Sequence, residues 1–300
     1  MMITSSRLSK VSSVHRFIAA FFGLSLLLFP SPQYELMSVG KMPWQDRIVT
    51  QAWGCTIIMV ALVVHESISF SVVAFQRSVA WSLVACFAVE TVLYLHAGFL
   101  GGAAAANMPQ GTVVGIQVLV PVFAGLLVAY SWALLEPPAP LQSSVSSKTP
   151  ADAAGAATNG RLALVFRVHR WVALGAAAVS VLVPSALYWP FPGAEQYATL
   201  GSPGELFAIQ SWGAFLFAAA GIVQGALQFD SQAQRAVGRA MLLQLVLLSA
   251  LFLNGLVVVG ELDDLYTYGG LPVFLPMTVF YGWALMDDDS VGASSRDKKE

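Results

Sequence analysis

Charged residues are scarce in this sequence of 300 residues, and their scarcity argues against a soluble fold. Only 11% of the residues are charged and 57% are hydrophobic, whereas soluble domains carry about 25% charged residues. So few polar side chains cannot cover a soluble domain of this size, and the bilayer is therefore the expected solvent. The formal net charge of −2, without any basic stripe, excludes a protein that binds nucleic acid electrostatically.

Reactive residue types are also few, which removes several classes of enzyme and cofactor protein. The two cysteines, Cys55 and Cys86, cannot build a disulfide framework or a zinc site. No predicted span contains lysine, so a retinal Schiff base is excluded, and no nucleotide-binding or hydrolase motif occurs. A haem between His65 and His96 is disfavoured because their predicted depths differ by about 10 Å. No cofactor and no metal site are predicted.

Long apolar runs make up most of the chain. Most of them reach the length of about 20 residues that a helix needs to cross the hydrocarbon. Lipid offers no hydrogen-bond partners to an open backbone, and the runs are continuous rather than alternating, so helices are expected instead of a barrel. The sequence therefore predicts an all-α membrane protein with eight transmembrane helices, at residues 16–34, 48–72, 79–100, 112–135, 168–190, 206–229, 236–260 and 269–286.

Five short motifs occur twice, in the same order and at nearly constant spacing. The pairs are VHRFI and VHRWV, QAWG and QSWG, QR and QR, VPVF and LPVF, and YSWAL and YGWAL, beginning at residues 14 and 168, 51 and 210, 76 and 234, 120 and 271, and 130 and 281. Five matches in register indicate a tandem duplication of a four-helix unit.

The duplication defines the predicted domains. Residues 1–135 form the first four-helix repeat and residues 162–287 the second. Residues 136–161 are rich in Pro, Ser, Ala and Gly, as is typical of a flexible linker. Residues 288–300 form a charged tail.

The stretch VHRFIAAFFGLSLLLFPSPQY, at residues 14–34, has two interpretations. A basic front, an apolar middle and small or turn-forming residues are the pattern of a cleaved signal peptide. The second VHR motif, however, opens an internal span that a signal peptidase does not remove. By analogy, we expect the first copy to remain as a membrane helix.

Basic residues predict the orientation of the chain. If the N-terminus is cytoplasmic, only Lys41 and Arg47 of the lysines and arginines lie on the outer side, which satisfies the positive-inside rule. Four spans per half is an even number, so the two repeats are expected to be parallel, with both termini in the cytoplasm. An endomembrane or the plasma membrane is the expected location.

Two carboxylates inside predicted spans, Glu66 and Glu90, are the first candidates for a functional site, together with His65. A charge at membrane depth costs about 2.5–3.5 kcal/mol and is expected to face the bundle interior. Measured from a loop at Arg77, all three lie about 16–20 Å deep on neighbouring antiparallel helices. His65 and Glu90 are therefore predicted to meet, as a proton or cation relay, a ligand clamp or a structural hydrogen bond.

The second half lacks these titratable groups. It has Gln224 in place of His65, Gly225 in place of Glu66, and Asn254 near the position of His96. Gln224, Gln244 and Asn254 are secondary polar candidates, and Gln244 and Asn254 are interpreted as hydrogen-bonding groups between helices rather than ligands.

Other motifs predict packing or interfacial contacts. Gly221-x-x-x-Gly225, and the Trp-Gly pairs at residues 53–54 and 212–213, are typical of close helix packing. His15 and His169, each next to an arginine, are predicted to lie at the membrane interface near lipid headgroups.

The segments RFIAAFFGLSLLLFP, TQAWGCTIIM and QRSVAWSLVACFAVETVLYL carry a resemblance to a known family. Across residues 16–95 they are similar to the small four-helix tumour-suppressor-inducible membrane proteins. The resemblance implies a membrane protein without assigned catalytic residues, and the duplication departs from that family's single unit.

The leading hypothesis is a non-enzymatic, multi-pass integral membrane protein that acts in membrane assembly or in the binding of lipids or partners. Its expected partners are membrane lipids and either a second copy or other membrane helices, without nucleic acid. The alternative is a transporter of a small solute or ion with a path between the two repeats. A membrane enzyme is the third hypothesis.

Overall fold

The computed structural model describes residues 6–31, 44–69, 73–100, 110–137, 160–184, 203–255 and 264–286. Helices account for almost all of these residues, and the described part contains no strand. The prediction of an all-helical chain is confirmed. In chain order the helices are α1 Ser6–Leu28, α2 Trp44–Ser69, α3 Val73–Phe99, α4 Gln110–Leu134, α5 Gly160–Leu182, α6 Pro203–Ala226, α7 Ser231–Asn254 and α8 Asp264–Met286.

The lengths of the helices match the thickness of a bilayer. Within the described residues, seven helices are long and apolar enough to cross a membrane, namely α1 to α7. The apolar part of α8 is shorter, Gly270–Met286, and covers about 26 Å of a hydrocarbon layer of about 30 Å. The chain thus has the character of a multi-pass membrane protein, and an eighth crossing by α8 stays a prediction.

The first helix of each half begins earlier than predicted. α1 begins at Ser6 and α5 at Gly160, because backbone hydrogen bonding continues through the polar residues that precede the apolar run. These early turns pack on the bundle: Leu8 is buried, and the backbone N–H of Arg7 donates to Oε2 of Glu136, 3.0 Å away. Hydropathy detects only the lipid-crossing part of such a helix.

Four helices form the middle of the bundle and four lie outside them. In the first half α1 packs on α2 and α3 packs on α4, and in the second half α5 packs on α6 and α7 packs on α8. The halves meet where α3 packs on α6, α2 packs on α7, and α2 packs on α6. The central helices are therefore α2, α3, α6 and α7.

Glycines allow the helices of each half to approach closely. A β-carbon on Gly54 of α2 would lie 2.8 Å from the carbonyl oxygen of Gly23 on α1. At the matching place in the second half, a β-carbon on Gly213 of α6 would lie 2.6 Å from Cβ of Ser180 on α5. The prediction that the Trp-Gly pairs support close packing agrees with these contacts.

The contact between the halves also depends on small residues. A β-carbon on Gly221 of α6 would lie 2.6 Å from Oγ of Ser82 on α3, and one on Gly225 would collide with Ser78. The Gly221-x-x-x-Gly225 motif thus packs against a Ser-x-x-x-Ser motif, as the small-residue pattern predicts.

Tryptophans on the outer surface follow the pattern of an interfacial belt. Trp132 is 49% exposed and Trp283 is 44% exposed. The guanidinium of Arg7 lies 4.6 Å from the ring centroid of Trp132, and that of Arg161 lies 4.6 Å from Trp283. Amphipathic rings next to cationic groups are typical of the boundary between lipid and water.

Candidate functional site

Among the described aspartate, glutamate, lysine and arginine side chains, Glu90 has the smallest exposed fraction. It lies on α3, and its side chain has no exposed surface. At about 1.5 Å per residue it is about 26 Å from Val73 at one end of α3 and about 14 Å from Phe99 at the other. Glu90 is therefore far from both ends of α3, at the contact between α3 and α6.

The Glu90 carboxylate is held by one hydroxyl group from the other half of the chain. Ser211 on α6 is itself fully buried, and its Oγ lies 2.7 Å from Oε1 and 2.9 Å from Oε2 of Glu90. The nearby ring of Tyr94 is buried between Phe207 and Phe123, with centroid distances of 4.7 Å and 4.8 Å. The hydroxyl of Tyr94 is also hydrogen-bonded to Ser211, so Glu90, Ser211 and Tyr94 form one buried cluster.

The matching place on the other side of the bundle is apolar. When the QR motifs are aligned, Glu90 corresponds to Leu248 of α7, and when the Q-x-W-G motifs are aligned, Ser211 corresponds to Ala52 of α2. Leu248 and Ala52 pack together in one buried apolar cluster with Cys55. The same kind of helix contact is therefore made once with a carboxylate and a hydroxyl, and once with two aliphatic side chains.

A second polar contact joins the halves beside the first. Thr56 of α2 accepts hydrogen bonds from Nε1 of Trp212 at 3.0 Å and from Nε2 of Gln244 at 2.9 Å. Its hydroxyl donates to the carbonyl of Ala52, 3.1 Å away. One donated and two accepted bonds use the full capacity of a hydroxyl group, so this cluster satisfies itself without an external ligand.

The counterpart of the Thr56 cluster is again less polar. By the same alignment Thr56 corresponds to Phe215 and Gln244 corresponds to Cys86. Trp53, the counterpart of Trp212, lies edge-on to Phe215 with a centroid distance of 6.1 Å, and its buried Nε1 has no partner among the described residues. Each of the two equivalent contacts between the halves therefore carries a different polar cluster, Glu90 with Ser211 between α3 and α6, and Thr56 with Gln244 between α2 and α7.

The predicted meeting of His65 with Glu90 does not occur, and the reason is the position of the helix ends. α2 ends at Ser69 and α3 begins at Val73, so the boundary between the two helices precedes Arg77, which lies inside α3. His65 is only about 6 Å along the helix from the end of α2, whereas Glu90 is about 26 Å from the start of α3. The predicted depth marker was wrong by more than one helical turn.

The other candidates lie near the helix ends or at the surface. Nδ1 of His65 is 2.8 Å from Nη1 of Arg16, and His65 is exposed. Gln224 is also exposed and accepts a short hydrogen bond through Oε1 from Nη1 of Arg170. Glu66 is half-buried next to His65, and Asn254 is exposed at the last residue of α7. A ligand or relay role for His65, Glu66 or Glu90 stays a prediction.

His15 and His169 face the interior of the bundle and not lipid headgroups, contrary to the prediction. Both are buried, because they lie on the faces of α1 and α5 that pack against the rest of the bundle. Nδ1 of His15 is 2.7 Å from the hydroxyl of Tyr130 on α4, and Nδ1 of His169 is 2.5 Å from the hydroxyl of Tyr281 on α8. Each pair joins the first and last helix of its half.

Replacement of Tyr130 with phenylalanine is expected to lower the free energy of unfolding by about 1–2 kcal/mol, because buried His15 loses its partner. The same change at Tyr281 should have a similar effect through His169. Thermal unfolding in detergent would measure both. A control at Trp81, which is 59% exposed, replaced with phenylalanine, should leave the transition unchanged within error, and equal shifts in all three variants would contradict the prediction.

Sequence analysis did not identify three residues that form hydrogen bonds between the halves, namely Thr56, Ser211 and Trp212. Ser211 and Trp212 lie inside the repeated Q-x-W-G motif, so their position was marked, but their partners come from the other half. Gln244 does join helices, as its interpretation predicted. Within the described ranges no group of three or more His, Cys, Asp or Glu residues could hold a metal ion.

Comparison of the chain with models of known protein families, with curated proteins and with solved structures gave no match. The resemblance of residues 16–95 to the four-helix tumour-suppressor-inducible family therefore stays a prediction. The class that the fold defines is an apolar helical bundle of the multi-pass membrane type.

Proposed function

We propose that the chain is a non-enzymatic integral membrane protein built from two parallel four-helix repeats, and that it acts in membrane assembly by binding lipids or partner helices. In this proposal both termini lie in the cytoplasm, an orientation that the distribution of basic residues favours. In this proposal all eight helices cross the membrane, and the two halves function as one unit.

Repeated contacts support the two-repeat arrangement. The His15–Tyr130 bond has its counterpart in His169–Tyr281. Likewise, the side-chain amide of Gln51 donates to the carbonyl of Leu27, as that of Gln210 donates to the carbonyl of Val181. Because these residues belong to motifs that recur in the sequence, the contacts favour a duplication in which each copy kept its internal packing.

The observation that carries the non-enzymatic role is the use of the central polar groups. Ser211 holds Glu90, and Thr56 is bonded on all sides, so the two clusters connect helices rather than line an exposed site. The outer helices expose apolar side chains instead, such as Val118 on α4 at 62% and Phe21 on α1 at 75%. Such a surface suits lipids and other membrane helices.

A transporter is the second candidate, and Glu90 favours it. A carboxyl group deep in a bundle is by default a functional-site hypothesis. At the equivalent contact, Leu248 packs on Ala52 without any polar group, so this packing does not require a carboxyl group. In this alternative the path follows the contact between the halves at α3 and α6.

Flux through sealed liposomes separates the two functions. The purified chain is expected to give the same proton and monovalent-cation flux as protein-free liposomes, and Glu90→Gln, which can still accept from Ser211, should change nothing. Fluorescence energy transfer between labelled copies should rise with the ratio of protein to lipid, as association predicts. A flux that needs the chain and is lost in Glu90→Gln would establish the transporter instead.

A further inference from the structure

Two matching surface sites combine an arginine, a neutral polar side chain and an exposed aromatic ring. The first edge site consists of Arg16, Phe17 and His65, and the second edge site consists of Arg170, Trp171 and Gln224. The guanidinium of Arg16 lies 4.6 Å from the ring centroid of Phe17, and that of Arg170 lies 5.1 Å from the ring of Trp171. Phe17 is 66% exposed and Trp171 is 63% exposed.

In each edge site the neighbouring helix supplies an acceptor that positions the arginine. Nδ1 of His65 on α2 accepts from Arg16, and Oε1 of Gln224 on α6 accepts from Arg170. An imidazole that accepts at Nδ1 carries its proton on Nε2, and an amide that accepts at Oε1 keeps its two N–H donors. Both arrangements therefore combine a guanidinium with a second, neutral N–H donor.

The arginine charges are not neutralised within the described residues. Arg16 and Arg170 each have one side-chain hydrogen bond, from Nη1 to a neutral acceptor. The Nε atoms are buried without a partner in the described part of the chain, whereas Nη2 is not among the buried atoms. Glu66 follows His65 in sequence and forms no described ion pair with Arg16, and the second edge site has Gly225 at that position.

The level of the sites in the bundle matches the boundary of the hydrocarbon. Along α2, His65 is about 27 Å from the exposed Arg47 near the other end. Along α6, Gln224 is about 32 Å from Pro203. The hydrocarbon core of a bilayer is about 30 Å thick, so the far ends of α2 and α6 place both sites near the edge of the core, from which a long arginine side chain extends toward the phosphate groups.

We propose that the two edge sites bind the phosphate groups of two anionic membrane phospholipids, one at each site. The guanidinium and the neutral N–H donor meet the phosphate oxygens, since arginine suits planar and bidentate recognition of phosphate. The exposed ring and the apolar face of the same helix lie against the acyl chains. This inference rests on the proposed function and names the lipid class and the residues that bind it.

Counting lipids bound to the full chain tests the proposal. The protein is reconstituted in nanodiscs of phosphatidylcholine with phosphatidic acid, extracted gently, and analysed by native mass spectrometry. The wild type should retain two phosphatidic acid molecules. Arg16→Gln together with Arg170→Gln should weaken retention about tenfold, because each loses a charged hydrogen bond.

Matched controls lie on neighbouring exposed positions. Arg167 is one turn from Arg170 on α5 and is exposed, as is Arg239 on α7. Arg167→Gln together with Arg239→Gln removes the same charge and should still retain two lipids. If both double variants lost lipid equally, the effect would come from net charge alone, and the proposal would be overturned. Full lipid retention in the edge-site variant would also overturn it.

Two further measurements keep the result decisive. Millimolar inorganic phosphate should not displace the lipid, and displacement would assign the sites to a soluble phosphate instead. If the edge-site variant does not fold, a phosphatidic acid with a photoreactive headgroup should label the wild type on α1, α2, α5 and α6, and labelling elsewhere would contradict the sites. Flux dependent on Glu90 would overturn the proposed function without changing the lipid count.

Discussion

Ser211→Ala is expected to lower the free energy of unfolding by about 2–3 kcal/mol. The reason is that Glu90 stays fully buried while both of its carboxylate oxygens lose their donor. An unsatisfied buried acceptor costs more than the net value of the bond, and a carboxyl group costs more than a neutral acceptor. Unfolding of the purified chain in mixed micelles, followed by circular dichroism, would measure the loss.

The equivalent contact in the same chain provides the template for a control variant. Glu90→Leu combined with Ser211→Ala gives the contact the same side chains as Leu248 and Ala52, which pack together in the buried core. Apolar replacement of a buried polar pair is often neutral or stabilising, so the double variant should lie within about 1 kcal/mol of the wild type. A double variant that is less stable than Ser211→Ala would contradict a structural role for the pair.

Gly54→Ala should destabilise the protein by about 1–3 kcal/mol, the usual cost of forcing extra atoms into a packed contact. The new β-carbon would lie 2.8 Å from the carbonyl oxygen of Gly23 and 2.9 Å from the backbone nitrogen of Leu27. Backbone atoms cannot rotate away as a flexible side chain can, so α1 and α2 must separate. The midpoint of thermal unfolding would report the change.

Gly125→Ala and Gly175→Ala are the controls, because a β-carbon at either position meets no atom within 4 Å. Alanine is the better helix former by about 0.5–1 kcal/mol, so these variants should be as stable as the wild type or slightly more stable. If Gly54→Ala unfolded at the same temperature as Gly175→Ala, the proposed close contact between α1 and α2 would be wrong.

Glu90 and Ser211 occur together at only one of the two equivalent contacts, and this difference can select which halves pair. If two first halves from different chains paired as the two halves of one chain do, Glu90 would take the place of Leu248 opposite Ala52, which has no hydroxyl. An unsatisfied carboxyl group would then be buried in each copy. The pairing of Glu90 with Ser211 therefore favours association of the first half with the second half of the same chain.

Sequence reasoning predicted the helices well and their ends poorly. The apolar runs identified all eight helices of the described ranges, because hydropathy and length follow directly from composition. The starts of α1, α3 and α5 were predicted too late, because polar residues continue a helix without changing its hydrogen bonding. The displaced end of α2 produced the wrong pairing of His65 with Glu90, whereas the burial of His15 depends on which face of α1 packs on the bundle.

The amino-acid sequence by itself determined the membrane class of this protein, the order of its helices and the small residues at their contacts, since these depend on local composition and spacing. Only the tertiary structure decided that Glu90 meets Ser211, that Thr56 collects bonds from Trp212 and Gln244, and that His15 is inside the bundle. Such pairs come from helices that are far apart in the chain. Which helix faces come into contact depends on the packing of all the helices at once.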